Sequence, residues 1–181
     1  MITEEEITKG LAGIDQIIPG VQKKTLVLFD LDGTIVDNSE RATLTKIQDY
    51  LDPVRLAVDP PMPTIVALLR KYATAADSEV VFLTGREEKL RDVTEVWLKG
   101  HHLSQFTLYM RPNGLPIAIV SKYKANKTMK LLREGGYQNI IFYDDNASTV
   151  TKVYKAVSAA NLKGDFYQVS KGKIVREEHL V

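Results

Sequence analysis

Short apolar runs alternate with segments of helical character along most of the chain. Four of these runs have the length and composition of buried strands, namely residues 25–29, 79–83, 106–110 and 139–143. Strands that alternate with helices are typical of parallel sheets, because each crossover between parallel strands needs a long connection. The pattern therefore predicts an α/β protein, with a Rossmann-like parallel sheet and helices on both faces.

Helices are predicted between and after these strands. Their expected positions are 39–52, from Pro63 onward, 87–98, 124–133 and 148–159. The tail, residues 165–175, is expected to form a last strand or a hairpin around Lys171-Gly172.

The chain length of 181 residues fits one domain with a proper core. Thr3 and Glu6 have the spacing of a capping box that opens a short helix before Pro19. We therefore expect an N-terminal helical extension over residues 1–22, followed by a single domain over residues 23–181.

Composition excludes several classes of protein. The chain has no cysteine, which rules out disulfides and thiolate metal sites. A formal net charge of +1 gives no overall attraction to nucleic acid or to membranes. No apolar stretch approaches the roughly 20 residues of a membrane span. We expect a cytoplasmic protein with no membrane partner, and no protein partner is evident from the sequence.

Two aspartates, Asp30 and Asp32, directly follow the first apolar run. Side chains alternate between faces along an extended backbone, so these two carboxylates point the same way. Like charges held this close are unfavourable unless something binds between them. A divalent cation together with a phosphate group would account for the pair.

Two other predicted strands also end in polar residues. They are followed by Thr84-Gly85-Arg86 and by Asp144-Asp145-Asn146, and Lys124 opens the helix before the second of them. The carboxyl ends of parallel strands meet at one edge of a sheet, where open α/β folds bind ligands. We therefore expect these polar groups to converge with Asp30 and Asp32 in one crevice.

The order of these motifs resembles the haloacid dehalogenase (HAD) superfamily of phosphatases. The resemblance rests on Phe-Asp-Leu-Asp-Gly-Thr at 29–34, then Thr84, Lys124 and the Asp144-Asp145 pair. It implies that Asp30 is a nucleophile that forms an aspartyl-phosphate. It also implies that Asp32 protonates the leaving group and then deprotonates the attacking water.

The same resemblance implies how phosphate and metal are bound. Gly33 and Gly85 would belong to the phosphate site, Thr84 would donate a hydrogen bond to phosphate, and Lys124 would supply a positive charge. The expected ligands of Mg²⁺ are the carboxylates of Asp30 and Asp144 and the main-chain carbonyl of Asp32, and Asp145 is expected either as a further ligand or as a residue that supports the ligands. Lys122 and Lys127 are alternatives to Lys124, and the separation of 20 residues between Lys124 and Asp144 (144 − 124) favours Lys124.

The connections between the motifs are short, so we expect little or no cap domain and an open site. Thr84-Gly85-Arg86 and Met110-Arg111-Pro112 resemble the 3′-phosphatase domains of bacteriophage polynucleotide kinases. This implies a 3′-phosphate on nucleic-acid ends or nucleotides as substrate, with Arg86 and Arg111 in contact with the nucleic-acid backbone.

Two alternatives stay open. One is a nucleotidase or small-molecule phosphatase with the same chemistry. The other is a receiver-like module that accepts phosphate for signalling, since receivers also place Asp, Thr and Lys around Mg²⁺. Asp32-Gly33-Thr34 after the first strand disfavours the receiver.

Overall fold

The computed structural model describes residues 25–181, and its centre is a six-stranded sheet. The strands are β1 (Thr25–Phe29), β2 (Ser78–Glu87), β3 (Thr107–Arg111), β4 (Asn139–Asp144), β5 (Lys163–Ser170) and β6 (Lys173–Leu180). They are ordered β3-β2-β1-β4-β5-β6, and only β6 runs antiparallel to its neighbour. The predicted α/β fold is confirmed.

Six α-helices accompany the sheet in the described part of the chain. They are α1 (Ile47–Tyr50), α2 (Pro53–Val58), α3 (Pro63–Ala73), α4 (Arg91–Gly100), α5 (Val120–Gly135) and α6 (Ala147–Ala159). Short 3₁₀ turns at Arg41–Thr43, Glu88–Leu90 and Ile117–Ile119 precede α1, α4 and α5. Among residues 25–181, no helix has both the length and the apolar character needed to cross a bilayer.

The sheet is buried on both faces. Val27 and Phe29 of β1 pack into one core with α3 and α4, and Leu26 and Leu28 pack into a second core with α5 and α6. Successive residues of a strand point to opposite faces, so the continuous apolar run of β1 matches a strand covered on both sides.

An aromatic row fixes the register just before the polar ends of the strands. Phe29, Tyr143 and Tyr167 are paired across β1, β4 and β5. Their rings stack with centroids 4.6 Å and 4.8 Å apart. Because Asp30 and Asp144 come directly after the first two of these rings, the register brings both carboxylates to the same level of the sheet edge.

Two helix predictions were wrong in their bounds. Residues 39–52 do not form one helix but a 3₁₀ turn followed by α1. A new helix, α2, then starts at Pro53, where the Asp52 carboxylate accepts hydrogen bonds from the N–H groups of Val54 and Arg55. Lys124 does not open its helix either, since α5 begins four residues earlier at Val120.

The other predicted elements agree with the structure more closely. The helix expected at 87–98 begins later, at Arg91, because β2 extends through Glu87. The tail forms the β5–β6 hairpin that was one of its two expected forms. The predicted N-terminal extension, residues 1–22, lies outside the described residues, and its separation from a domain over residues 23–181 stays a prediction.

The single tryptophan, Trp97, ties α4 to the segment that follows α2. Its indole Nε1 donates a hydrogen bond to the main-chain carbonyl of Asp59 at 2.7 Å. Its ring packs against the imidazole of His101, with centroids 4.3 Å apart. The contact holds Asp59 in a fixed position beside the sheet.

Candidate active site

A cavity of about 240 Å³ opens at the carboxyl ends of β1, β2 and β4. Residues from all three strand ends and from the first turns of α5 and α6 form its wall. The lining residues are Asp30, Asp32, Tyr50, Leu51, Gly85, Arg86, Ile117, Val120, Ser121, Lys124, Asp144, Asp145, Asn146 and Thr149. The convergence expected from the sequence therefore takes place for all of the expected residues except Thr84, at the edge where parallel sheets bind ligands.

Lys124 lies between two aspartates at the floor of this cavity. Its Nζ is 2.7 Å from Asp30 Oδ1 and 2.7 Å from Asp144 Oδ2. All three side chains are buried, and burial alone would lower the pKa of the lysine. The charges of Asp144 and Asp30 outweigh burial and raise the pKa of Lys124 above its ordinary value, so the ammonium group stays charged.

The other two candidate lysines lie elsewhere. Lys122 and Lys127 line a separate cavity on the outer side of α5. The ammonium group of Lys127 lies over the ring of Tyr109, 3.7 Å from its centroid. Of the three lysines, the structure brings only Lys124 to the aspartates.

Three carboxylates in the cavity are placed to hold a metal ion. One oxygen each from Asp30, Asp144 and Asp145 lies within 4.8 Å of the others. Asp30 Oδ1 is fully buried, and the ammonium group of Lys124 lies 2.7 Å from it. Three carboxylates that offer hard oxygen donors this close together fit Mg²⁺.

The electrostatics of these carboxylates agree with that fit. Burial raises the pKa of Asp30, Lys124 opposes this, and Asp144 and Asp145 add to it. Desolvation, and then the charge of Asp144, raise the pKa of Asp145 to about 7. The neighbouring negative charges raise the pKa values of Asp30 and Asp145 because like charges repel, and a bound cation would relieve that repulsion.

Gly33 lets the first motif approach this cluster closely. Its φ of +77° lies in the left-handed region that favours glycine. A Cβ atom at this position would lie 2.7 Å from Asp145 Cγ. The motif after β1 thus needs glycine both for its turn and for the space that Asp145 occupies.

Asp32 is held by two buried arginines. Arg86 donates from Nε to Asp32 Oδ2 at 2.9 Å and from Nη2 to Oδ1 at 2.8 Å. Arg41 donates from Nη2 to the same Oδ1 at 2.5 Å, and from Nε to Asp59 Oδ2 at 2.6 Å. Paired contacts of this kind fix the plane of a carboxylate as well as its position.

The arginines also set the protonation of Asp32. Burial by itself raises the pKa of this carboxyl, but Arg86 and then Arg41 outweigh it and hold the pKa of Asp32 well below its ordinary range. In this arrangement Asp32 is ionised at neutral pH. It is therefore better prepared to accept a proton than to donate one.

Thr84 and Arg111 do not line the cavity. Thr84 is fully buried, and its Oγ1 accepts a hydrogen bond from the main-chain N–H of Arg86 at 3.1 Å. Arg111 donates from Nε to the carbonyl of Gly85 at 2.8 Å and forms an ion pair with Glu87. Both side chains thus form hydrogen bonds with the main chain of the Gly85-Arg86 segment and do not face the cavity.

Four polar residues of this site were not expected from the sequence: Arg41, Tyr50, Ser121 and Thr149. Ser121 lies three residues before Lys124, so the two side chains share one face of the helix. This spacing could have predicted Ser121 as a site residue from the sequence. Its hydroxyl is 2.9 Å from that of Thr149. Arg41 and Tyr50 carried no such signal, because their placement depends on the turn that replaces the predicted helix.

Comparisons with known proteins agree with this geometry. A family model described as HAD superfamily, subfamily IIIB (acid phosphatase) matches residues 5–170. A search of curated protein sequences finds no significant match.

Among solved structures, this chain is similar to a protein chain in the structure of the Pnkp1/Rnl/Hen1 complex. The two share 21% sequence identity and a TM-score of 0.52, and the alignment covers 83% of this chain and 47% of the other. This chain is also similar to one in the Pnkp1/Rnl/Hen1 RNA repair complex, with 18% identity and a TM-score of 0.58 over 92% of this chain and 54% of that one. The chain thus spans about half the length of these two.

The HAD domain of the effector protein Lem4 from Legionella pneumophila is also similar. It shares 12% identity and a TM-score of 0.58, and the alignment covers 84% of this chain and 90% of that one. At these identities, the likeness to the solved structures concerns the fold.

Proposed function

The chain belongs to subfamily IIIB of the HAD superfamily and is a phosphatase, and from this premise we propose that it hydrolyses phosphomonoesters through an aspartyl-phosphate on Asp30. The observation that carries the proposal is the contact of Lys124 Nζ with both Asp30 and Asp144, at 2.7 Å each. A buried carboxylate beside a fixed positive charge suits a nucleophile that attacks an anionic group.

In the first step, a carboxylate oxygen of Asp30 forms a bond to phosphorus and the bond from phosphorus to the leaving oxygen breaks. Asp32 first takes up a proton from solvent and then gives it to that oxygen. In the second step, Asp32 takes a proton from a water molecule, whose oxygen attacks phosphorus. The bond from Asp30 to phosphorus then breaks, which regenerates the carboxylate and releases inorganic phosphate.

Asp30, Asp144, Asp145 and the main-chain carbonyl of Asp32 would hold Mg²⁺, which when bound neutralises charge on the phosphate oxygens. Lys124 contributes a second positive charge beside Asp30. The N-termini of α5 and α6, which open at the cavity with Val120 and Asn146, add partial positive charge.

The two arginines affect both proton transfers of Asp32. They favour its ionised form, so the group that accepts a proton from water in the second step is already present at neutral pH. The same contacts make Asp32 a weaker base, and in the first step it has to take up a proton before it can donate one.

We propose nucleic-acid 3′-phosphate ends or nucleotides as substrates, with small phosphoesters as the alternative. The proposal is supported by Thr84-Gly85-Arg86 and Met110-Arg111-Pro112. It is also supported by the fold shared with chains of an RNA repair complex. A panel of 3′- and 5′-phosphorylated oligonucleotides, mononucleotides and sugar phosphates tests it, and better rates on sugar phosphates would exclude the nucleic-acid substrate.

The mechanism is tested with Asp30→Asn and p-nitrophenyl phosphate. We expect turnover by the wild type only with Mg²⁺, and none by Asp30→Asn, because the amide is not a nucleophile. The matched control is Asp92→Asn, an exposed position on α4 that lines neither this cavity nor the metal cluster. Turnover by Asp30→Asn, or by the wild type in excess EDTA, would exclude the mechanism.

A further inference from the structure

A second cavity of about 640 Å³ lies directly beside the active-site cavity. It is formed by α1 and the start of α2 on one side, and by the segment 114–117 on the other. Leu51 and Ile117 line both cavities. The two cavities are therefore adjacent, and we call the second one the leaving-group groove.

The walls of the leaving-group groove are mainly apolar. They contain Ile47, Leu51, Pro53, Leu90, Leu115, Pro116 and Ile117. Ile47 and Ile117 are 52% and 56% exposed, which leaves two large aliphatic side chains in contact with water beside the site. A ligand that covered them would be stabilised by the hydrophobic effect.

The charged groups of the groove are already engaged with each other. Lys89 Nζ is 2.5 Å from Glu87 Oε2, and Arg111 Nη1 is 3.1 Å from Glu87 Oε1. Arg111 is also bound to the carbonyl of Gly85. Both basic side chains that line the groove thus already contact a carboxylate, so the ligand class is inferred from the apolar walls.

We propose that the leaving-group groove binds the apolar part of a phosphomonoester while the phosphate lies against Asp30. The volume of about 640 Å³ is in the range of small-molecule sites and accommodates an aryl group, a nucleobase or a medium-length alkyl chain. This inference rests on the proposed function, because it assigns the substrate class of the same site.

The test uses primary alkyl phosphates from ethyl to octyl phosphate, whose leaving alcohols differ little in basicity. We expect kcat/KM to rise with chain length, by at most about fourfold for each methylene group removed from water. The double variant Ile47→Ser with Ile117→Ser should flatten this slope. Val96→Ser, an exposed apolar position on α4 outside both cavities, should keep it.

Binding of alkylphosphonates, measured by calorimetry with Mg²⁺ present, gives a readout that does not depend on turnover. Affinity that rises with chain length in the wild type and not in the double variant supports the groove. Rates and affinities that do not depend on chain length would overturn it, even if phosphomonoesters are hydrolysed. Absence of turnover together with length-dependent affinity would instead exclude the proposed function and keep the groove.

Discussion

Arg41 contacts three groups that are distant from it in sequence. Its guanidinium binds the carboxylates of Asp32 and Asp59 and the main-chain carbonyl of Tyr50. Arg41 is 1% exposed, so water cannot take its place beside these three groups unless the surrounding structure rearranges. The residue orients the proposed acid and base, and it also joins the turn after β1 to the end of α2.

We predict that Arg41→Gln loses about 3 kcal/mol of unfolding free energy, because removal of one partner leaves a buried carboxylate without its charge partner. Urea unfolding measures this, and phosphatase assays should show a parallel loss of kcat. Arg70→Gln on the exposed side of α3 serves as control and should change stability by less than about 0.5 kcal/mol. Equal stability of the two variants would contradict the role of Arg41.

Gly33 and Gly114 form a matched pair for a second prediction. Both have positive φ, +77° and +76°, but a Cβ would meet Asp145 only at Gly33 and nothing within 4 Å at Gly114. Gly33→Ala and Gly114→Ala should each lose about 1 kcal/mol of stability from backbone strain.

Only Gly33→Ala should also weaken Mg²⁺ activation, by about tenfold to a hundredfold, because it displaces Asp145. Titration of activity with Mg²⁺ measures this effect. If both variants keep the wild-type dependence of activity on Mg²⁺, the close packing of Gly33 on Asp145 does not contribute to metal binding.

At the scale of elements, the hairpin of β5 and β6 carries a pH-sensitive pair. His179 Nδ1 is 2.7 Å from Asp165 Oδ1 across the two strands. The hydrogen bond to Asp165 raises the pKa of His179 above the ordinary 6.5. Since the folded pKa is the higher one, the contact stabilises the hairpin fully below about pH 6.5 and is lost as pH rises through the folded pKa.

NMR titration of the histidine ring protons tests this. The midpoint of His179 should lie above 6.5 and fall in Asp165→Asn. His101 provides the internal control. Burial and then the charge of His102 lower its pKa, so its midpoint should not change in Asp165→Asn. A His179 midpoint that is unaffected by Asp165→Asn would exclude the pair.

At the scale of the whole molecule, the proposed metal site would link metal binding to folding. Unfolding separates Asp30, Asp144 and Asp145, so Mg²⁺ held by all three would stabilise only the folded chain. At 100 times its Kd, a ligand of the native state adds about 2.7 kcal/mol.

Scanning calorimetry with and without Mg²⁺ should therefore show a rise in Tm for the wild type and for Asp92→Asn. The rise should be much smaller for Asp145→Asn, which removes one ligand. An equal rise in Asp145→Asn would contradict the cluster as the metal site.

Much of this site could be predicted from the sequence because one topological rule governs it. Parallel strands bring their carboxyl ends together, so Asp30 and Asp144 had to meet, and a helix before β4 could deliver Lys124. The arginine contacts could not be predicted in this way. The contacts of Arg41 depend on side-chain directions in the turn after β1, where a helix was expected. Arg86 and Arg111 were expected to contact nucleic acid, but in the structure their guanidinium groups bind protein groups.

The contact of Trp97 with Asp59 has an optical consequence. The chain contains one tryptophan, and it is 2% exposed, so the tryptophan emission of the protein, excited selectively over its tyrosines, comes from a single buried environment. The indole is bonded to the main chain of Asp59, whose carboxylate holds Arg41. Fluorescence therefore reports, without any label, on the segment that anchors Arg41, and it does so independently of turnover.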